Sequence, residues 1–182
     1  MGAPATVEVE DVELIALFQR GDERAAAALV HRHTAPLARF LAIQGAPDDE
    51  LDDLVQDAFF KAFRALPTFR GGSSFRTWLL AIGGNLLKDR QRQWKRRHIV
   101  ELTPDVADPA ADPGGELDAG MAATRLLDGM KKLARLQREV FVMRAQQGHD
   151  YADIAAALQM SEGAARVHYH HAVKRLKAWM TT

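Results

Sequence analysis

One stretch decides how the chain divides before any element is drawn. Ile99 to Gly120, IVELTPDVADPAADPGGELDAG, holds three prolines, three glycines and six acids, and its apolar residues keep no sustained period. Proline removes a backbone donor and pushes the preceding residue toward extended backbone, so such a stretch is a linker and not an element. Residues 98–120 are expected to join two bodies, 11–97 and 121–182, each long enough to bury a small core. Aromatic content is only 7%, alanine is abundant, and apolar residues recur at helical spacing. The expected fold class is all-α: two small helical domains, an N-terminal helical bundle and a C-terminal helix-turn-helix, joined by an acidic Pro/Gly linker.

The N-terminal body reads as four helices. Asp11 is placed to cap a short first helix, with Leu14, Leu17 and Phe18 inward and Gly21 at its end. Asp22 opens a second, with Ala25, Leu29, His33, Leu37 and Leu41 near helical spacing. Pro36 lies inside that pattern and should kink or divide it. Asp48 opens a third, which carries Leu51, Leu54, Val55, Ala58, Phe59, Ala62 and Phe63 on one side and closes at Pro67. After the loop TFRGGSS, Ser73 or Ser74 caps a fourth helix that runs through Trp78, Ile82 and Leu86 to the basic run near Arg97. Gly83 and Gly84 fall inside it at a propensity cost of about 2 kcal/mol together, which implies close packing or a bend.

The C-terminal body also reads as four helices: about Met121–Ala134, Leu136–Gln147 stopping at Gly148, YADIAAAL capped by Asp150, and a longer basic helix capped by Ser161. A short helix, a tight turn and a longer basic helix make a helix-turn-helix. At the helical angle of about 100° per residue, Ala165, Tyr169, Ala172, Val173 and Leu176 share one side. Arg166, Val167, His170, His171 and Lys174 share the opposite side, with His168 at the flank. One side can dock on the preceding helix while the other lies in a major groove. The plainer alternative is an ordinary helical pair with a solvated basic face.

A formal net charge of zero, 24 basic against 24 acidic side chains, conceals strong segregation. Residues 1–60 carry 4 basic and 12 acidic side chains, 61–97 carry 10 and 1, 98–123 carry 0 and 6, and 124–182 carry 10 and 5. Such blocks suit a chain that meets both a polyanion and a basic protein surface. Within 59–97, Phe69, Phe75 and Trp78 are interleaved with Arg64, Arg70 and Arg76. Aromatic faces stack on unpaired bases while cations follow the phosphates; the alternative is that Phe75 and Trp78 are core. The acidic run Asp48, Asp49, Glu50, Asp52, Asp53 and Asp57 lacks the central glycine of a calcium loop. It either complements a helix dipole or offers carboxylates to a basic partner.

Catalytic readings find no support. There is no cysteine, no HExxH, no GxSxG and no P-loop lysine. His168, His170 and His171 have no carboxylate on their face to complete a metal site. A non-enzyme without metal or cofactor is expected. No apolar run approaches the roughly 20 residues of a membrane span, so the expectation is a cytoplasmic protein with no membrane insertion.

At this point two segments carry a resemblance. Asp52 to Arg97, DDLVQDAFFKAFRALPTFRGGSSFRTWLLAIGGNLLKDRQRQWKRR, closely resembles the second conserved region of extracytoplasmic-function (ECF) sigma factors. Gln137 to Lys177 resembles their fourth. The two lie in the right order with an acidic linker between them, as in group four of the sigma-70 family, which supplies the promoter-specificity subunit of bacterial RNA polymerase. The resemblance implies that 11–97 is region 2 and 121–182 is region 4. It implies that Asp52, Asp53, Leu54, Gln56 and Asp57 dock on the β′ clamp of core RNA polymerase. Phe69, Arg70, Gly71, Gly72, Ser73 and Ser74 would capture a flipped base of the −10 element, and Phe75, Trp78, Asn85, Lys88 and Arg92 would hold the melted strand. Arg166, Val167, His168, His170 and His171 would read the −35 element, with Lys174 on the same face, and apolar parts of region 4 would grip the β flap. The implied partners are core RNA polymerase, promoter DNA and an anti-sigma factor, and the implied activity is promoter recognition for transcription initiation. A free-standing helix-turn-helix regulator, or a protein-only adaptor that sequesters an anti-sigma factor, are the alternatives. Gly83, Gly84, Ala134, His168 and His171 stand where the family usually carries other residues.

Overall fold

The computed structural model describes the chain from residue 10 to 101 and from 119 to 180, with side chains from 10 to 96 and 124 to 179. Every element among these residues is helical. The N-terminal domain is built from α1 (Asp11–Gln19), α2 (Glu23–Ile43), α3 (Leu51–Ala65) and α4 (Phe75–Glu101). The C-terminal domain is built from α5 (Ala119–Lys131), α6 (Arg135–Phe141), α7 (Tyr151–Ala157) and α8 (Glu162–Met180). The central part of the acidic stretch, 102–118, lies outside the described residues, and both of its ends are helical.

Local chemistry accounts for the boundaries. Gly21, at φ +96°, ends α1 in the left-handed region that glycine enters without steric cost. Asp22 accepts from the Arg24 backbone N–H at 2.9 Å and caps α2. Asp150 accepts from the Asp153 N–H at 2.7 Å and caps α7, and Ser161 accepts from the Ala164 N–H at 3.1 Å at the start of α8. Of the two serines before α4, Ser74 is the cap, accepting from the Thr77 N–H at 3.1 Å.

Four expectations are corrected. Asp11 does not cap α1; Glu10 is the N-cap residue, and the Asp11 carboxylate instead binds Arg32 at 2.6 Å and His33 at 2.8 Å, tying α1 to α2. Pro36 does not divide α2, which continues through it: Leu29 and His33 before it and Leu37, Phe40 and Leu41 after it are buried, and that packing outweighs one lost backbone bond. Asp48 opens a 3-10 turn, and α3 itself begins at Leu51. The helix after the linker stops at Lys131, and α6 passes into a π-helical turn at Val142–Gln146 before Gly148.

In the N-terminal domain α4 packs on α2 and α3, around Leu29, Leu37, Phe40, Leu41, Leu54, Leu66, Leu79 and Leu80, all at most 1% exposed. Each such side chain contributes about 1.5–3 kcal/mol of burial. In the C-terminal domain α8 is the platform for α5, α6 and α7, with Val140, Met143, Ile154, Ala165 and Ala172 inside. The two domains also touch: α7 meets α4 and α5 meets α2.

The adjacent glycines of α4 have separate reasons. A Cβ on Gly83 would lie 2.8 Å from Leu37 Cδ1, so glycine lets α4 settle onto α2. A Cβ on Gly84 would lie 2.9 Å from Glu139 Oε1, so glycine there makes room for a side chain of the other domain.

Candidate nucleic-acid interface

Helix α8 has one side turned into its domain and one side turned to solvent, with Tyr169 and Val173 half-buried at the margin. Ala165, Ala172 and Leu176 are buried, and Arg166, Val167, His170, His171 and Lys174 are exposed on the opposite side. His168 is half-buried, with its Nδ1 enclosed and unpaired. The Arg166 guanidinium has two partners: it lies 4.5 Å from the Tyr151 ring centroid and 3.4 Å from Glu162. Arg144 packs against the same ring at 4.8 Å. Tyr151, at the first position of α7, thus spaces one arginine on the exposed face of α8.

The aromatic–basic segment divides into an inner and an outer part. Phe75 is 3% exposed and sits edge-on to Phe69 and His33. It belongs to the core, which corrects its assignment to a strand-holding surface. Phe69 and Trp78 are half-buried with ring centroids 4.7 Å apart, so Phe75 supports the pair from beneath. Arg70, Gly71, Gly72, Ser74, Asn85 and Arg92 are exposed, and Ser73 and Lys88 are half-buried. Gly71 takes φ +68°, a left-handed turn that shapes the exposed loop. Trp78 and Asn85 line a cleft of about 250 Å³ whose far wall is Arg135, Leu136, Ala157, Leu158 and Gln159 of the C-terminal domain.

The acidic run is partly internal. Leu54 is fully buried and presents nothing to a partner, a second correction. Glu50 and Asp57 hold Arg90 of α4 at 3.0 and 2.9 Å, and Glu50 also accepts from Trp94 Nε1 at 3.0 Å. Asp52, Asp53 and Gln56 remain exposed along α3, beside the exposed ring of Phe60.

Several polar residues at the domain junction escaped the sequence. Asp153 of α7 reaches the start of α4: its Oδ1 accepts from the Ser74 N–H at 2.6 Å, and its Oδ2 accepts from the Thr77 hydroxyl at 2.6 Å and the Ser74 hydroxyl at 3.1 Å. His149 Nδ1 stands 2.9 Å from Thr77 Oγ1 and 3.1 Å from Asp153 Oδ2. Burial pushes the His149 imidazole below its ordinary value, with repulsion from Arg76 acting the same way, and the attraction of Asp153 offsets this only in part. Glu139, 1% exposed, bonds Arg135 and lies over Gly84; burial raises its carboxyl, against the pull of Arg135, Arg138 and Lys88. In the sequence, Gly84 hints at the Glu139 contact, and nothing marks Asp153 or His149. Among the described residues no group of three or more potential metal ligands is assembled, and no helix is long and apolar enough to cross a membrane.

This arrangement matches known proteins along most of its length. Residues 29–97 match sigma-70 region 2 and residues 123–176 match sigma-70 region 4. The chain is 31% identical over 168 residues to the RNA polymerase sigma factor NccH of Alcaligenes xylosoxydans xylosoxydans, covering 87% of this chain and 88% of that one. It is 32% identical over 169 residues to the ECF RNA polymerase sigma factor SigM of Mycobacterium tuberculosis, covering 93% and 84%. Its fold is similar to a solved structure of CnrH in complex with the cytosolic domain of CnrY, at TM-score 0.68 and 31% identity over 94% of this chain and 97% of that one. The class is therefore the sigma-70 family of RNA polymerase sigma factors, which act in transcription initiation. Within it, the chain belongs to the ECF factors of group four.

Proposed function

We propose that this chain recruits core RNA polymerase to promoters by reading a −35 element with α8 and a −10 element with the segment 69–92, α3 being the principal contact to polymerase. The observation that carries the reading is the split of α8: an apolar side seated in its domain and, opposite it, Arg166, Val167, His170, His171 and Lys174 in solvent. That is what a helix needs to enter a major groove while staying attached to a domain. Phosphate contacts from the cationic side chains position the helix, and base edges specify.

The −10 surface consists of the loop 69–74, the Phe69–Trp78 pair, Asn85, Lys88 and Arg92. Stacking on half-buried rings offsets the unstacking of a base, and the cations follow the strand. On α3 the exposed Asp52, Asp53 and Gln56 face polymerase, while Asp57 positions Arg90. The chain contributes recognition and melting, and the polymerase performs the chemistry, in the cytoplasm where promoter DNA is found. An anti-sigma factor is the proposed inhibitory partner, by likeness to the CnrH complex with CnrY.

The test is run-off transcription with purified bacterial core polymerase and a candidate promoter. The reading predicts transcript that depends on the chain and on both promoter elements. Duplex binding with no transcript on any promoter would instead define a free-standing regulator, and anti-sigma binding without DNA binding would define an adaptor.

A further inference from the structure

The solvent side of α8 carries one long side chain whose place is set by a different helix. Gly148, at φ +75°, turns the chain before α7, and the Asp150 carboxylate caps that helix. Turn and cap together fix Tyr151 at the first position of α7. Its ring meets α8 at two residues one turn apart: it stands edge-on to the Tyr169 ring at 6.0 Å and lies 4.5 Å from the Arg166 guanidinium. Tyr169 in turn stacks on Phe141 of α6 at 6.0 Å. The Tyr151 ring is therefore anchored on an aromatic pair of its own domain and meets an arginine of the exposed side.

Two guanidiniums use this ring, and they differ in what else holds them. Arg144, 4.8 Å from the centroid, is half-buried and donates to the His149 carbonyl at 2.9 Å, which ties it to the chain before α7. Arg166 is exposed, and its other partner is the exposed Glu162. A surface ion pair of this kind is weak, so a phosphate or a guanine edge can take the place of the carboxylate. A guanidinium that rests on a ring by its face keeps its N–H fork for such a partner. A long side chain ordered only on binding loses rotamer freedom at that moment, whereas one already held on a ring loses less.

We propose that Tyr151 is a positioning residue for −35 recognition, holding the Arg166 guanidinium on its ring so that this side chain meets the duplex already oriented. This rests on the proposed reading of the −35 element by α8. Tyr151 acts through Arg166, and the attraction is that of a cation for the π-face of the ring and not for the phenol hydroxyl. Phenylalanine should therefore serve in its place, and an aliphatic side chain should not.

The experiment uses the full chain assembled with bacterial core RNA polymerase. Dissociation constants are read by anisotropy, at fixed salt, for a fluorescent promoter duplex with an intact −35 element and for duplexes in which each of its base pairs is replaced in turn. Tyr151→Leu should weaken binding to the intact element by about two- to fivefold, the range of a cation–π contact at an exposed site, while Tyr151→Phe stays at the wild-type value. Tyr151→Met, a more adaptable side chain without a π-face, should behave as leucine does, so that unfolding of one variant leaves the other to be read. The loss should vanish when the same change is made in an Arg166→Gln background, and discrimination should fall at the same base pairs as in Arg166→Gln alone. In the wild-type chain, the Arg166 side-chain proton resonances should be displaced upfield by the ring, and absence of that displacement overturns the contact whatever the variants do. Equal losses with and without Arg166, or equal losses in Tyr151→Phe and Tyr151→Leu, assign Tyr151 a packing role and overturn the proposal. Discrimination by wild type that Arg166→Gln fully retains also overturns it and leaves the −35 reading standing. Indifference of wild type to every replacement overturns the −35 reading itself, and the role of Tyr151 with it.

Discussion

Asp11 and Glu139 show how one residue type is driven in opposite directions by its surroundings. Burial alone would raise the Asp11 carboxyl, but the hydrogen bonds and charges of His33 and Arg32 outweigh it and hold it below the ordinary 3.8. The folded state then binds fewer protons than the unfolded state, so this contribution is present above the unfolded value and is lost as pH falls through the folded one. Asp11→Asn should cost about 1–2 kcal/mol at neutral pH, allowing for partial solvent screening. The difference from wild type should shrink below about pH 4, as read from urea midpoints across pH. Glu139 is the reverse: burial dominates and raises its carboxyl above 4.5. Here the folded state binds the extra proton, so wild type loses stability as pH rises from about 4.5 through the raised value. Glu139→Gln should remove that slope; two parallel curves would assign the titration to another group.

At the scale of elements, close approach decides more than propensity. Gly83→Ala would gain up to about 1 kcal/mol of helix propensity. Its Cβ, however, falls 2.8 Å from Leu37 Cδ1 and 3.4 Å from Leu41 Cδ2, on side chains with no solvent to retreat into. Overpacking of this kind costs about 1–3 kcal/mol, so the melting temperature should drop despite the better helix former. On α8 two neighbouring histidines should respond differently to arginine. His171 is exposed, and His171→Arg should tighten binding to a −35 duplex and steepen the log–log salt dependence by about one. His168 is half-buried with an enclosed Nδ1, and His168→Arg should lower the thermal midpoint because a guanidinium there must leave its place or lose water. Equal salt slopes in wild type and His171→Arg would remove that position from the phosphate contacts.

At the scale of the molecule, the charge blocks are divided between internal and external work. Arg90 and Trp94 consume Glu50 and Asp57 within the N-terminal domain, which leaves Asp52 and Asp53 outward on α3. Asp53→Arg together with Gln56→Arg should abolish capture by core polymerase in a pull-down, since like charges set opposite each other cost several kcal/mol. Both substitutions are at exposed positions, so circular dichroism and melting should stay at wild-type values. Native capture by the folded double variant would move the polymerase contact off this face.

Periodicity, capping chemistry and charge order were enough to read the helices, the helix-turn-helix and the two faces of α8. All of these are local: 3.6-residue spacing, Asp22, Ser74, Asp150 and Ser161 at helix starts, and Gly21 and Gly148 at ends act over a few residues of sequence. Sequence alone could not tell that Phe75 and Leu54 lie beneath the surfaces they were assigned to, because a residue at the edge of an apolar stripe faces outward or inward according to what packs above it. Nor could it pair Asp11 with α2, Glu50 and Asp57 with Arg90, or Asp153 with Ser74, since an acid in a first helical turn looks the same whether it caps its own helix or reaches another. Those choices are made by long-range packing, in which one carboxylate is desolvated and must take the donors that the fold brings to it.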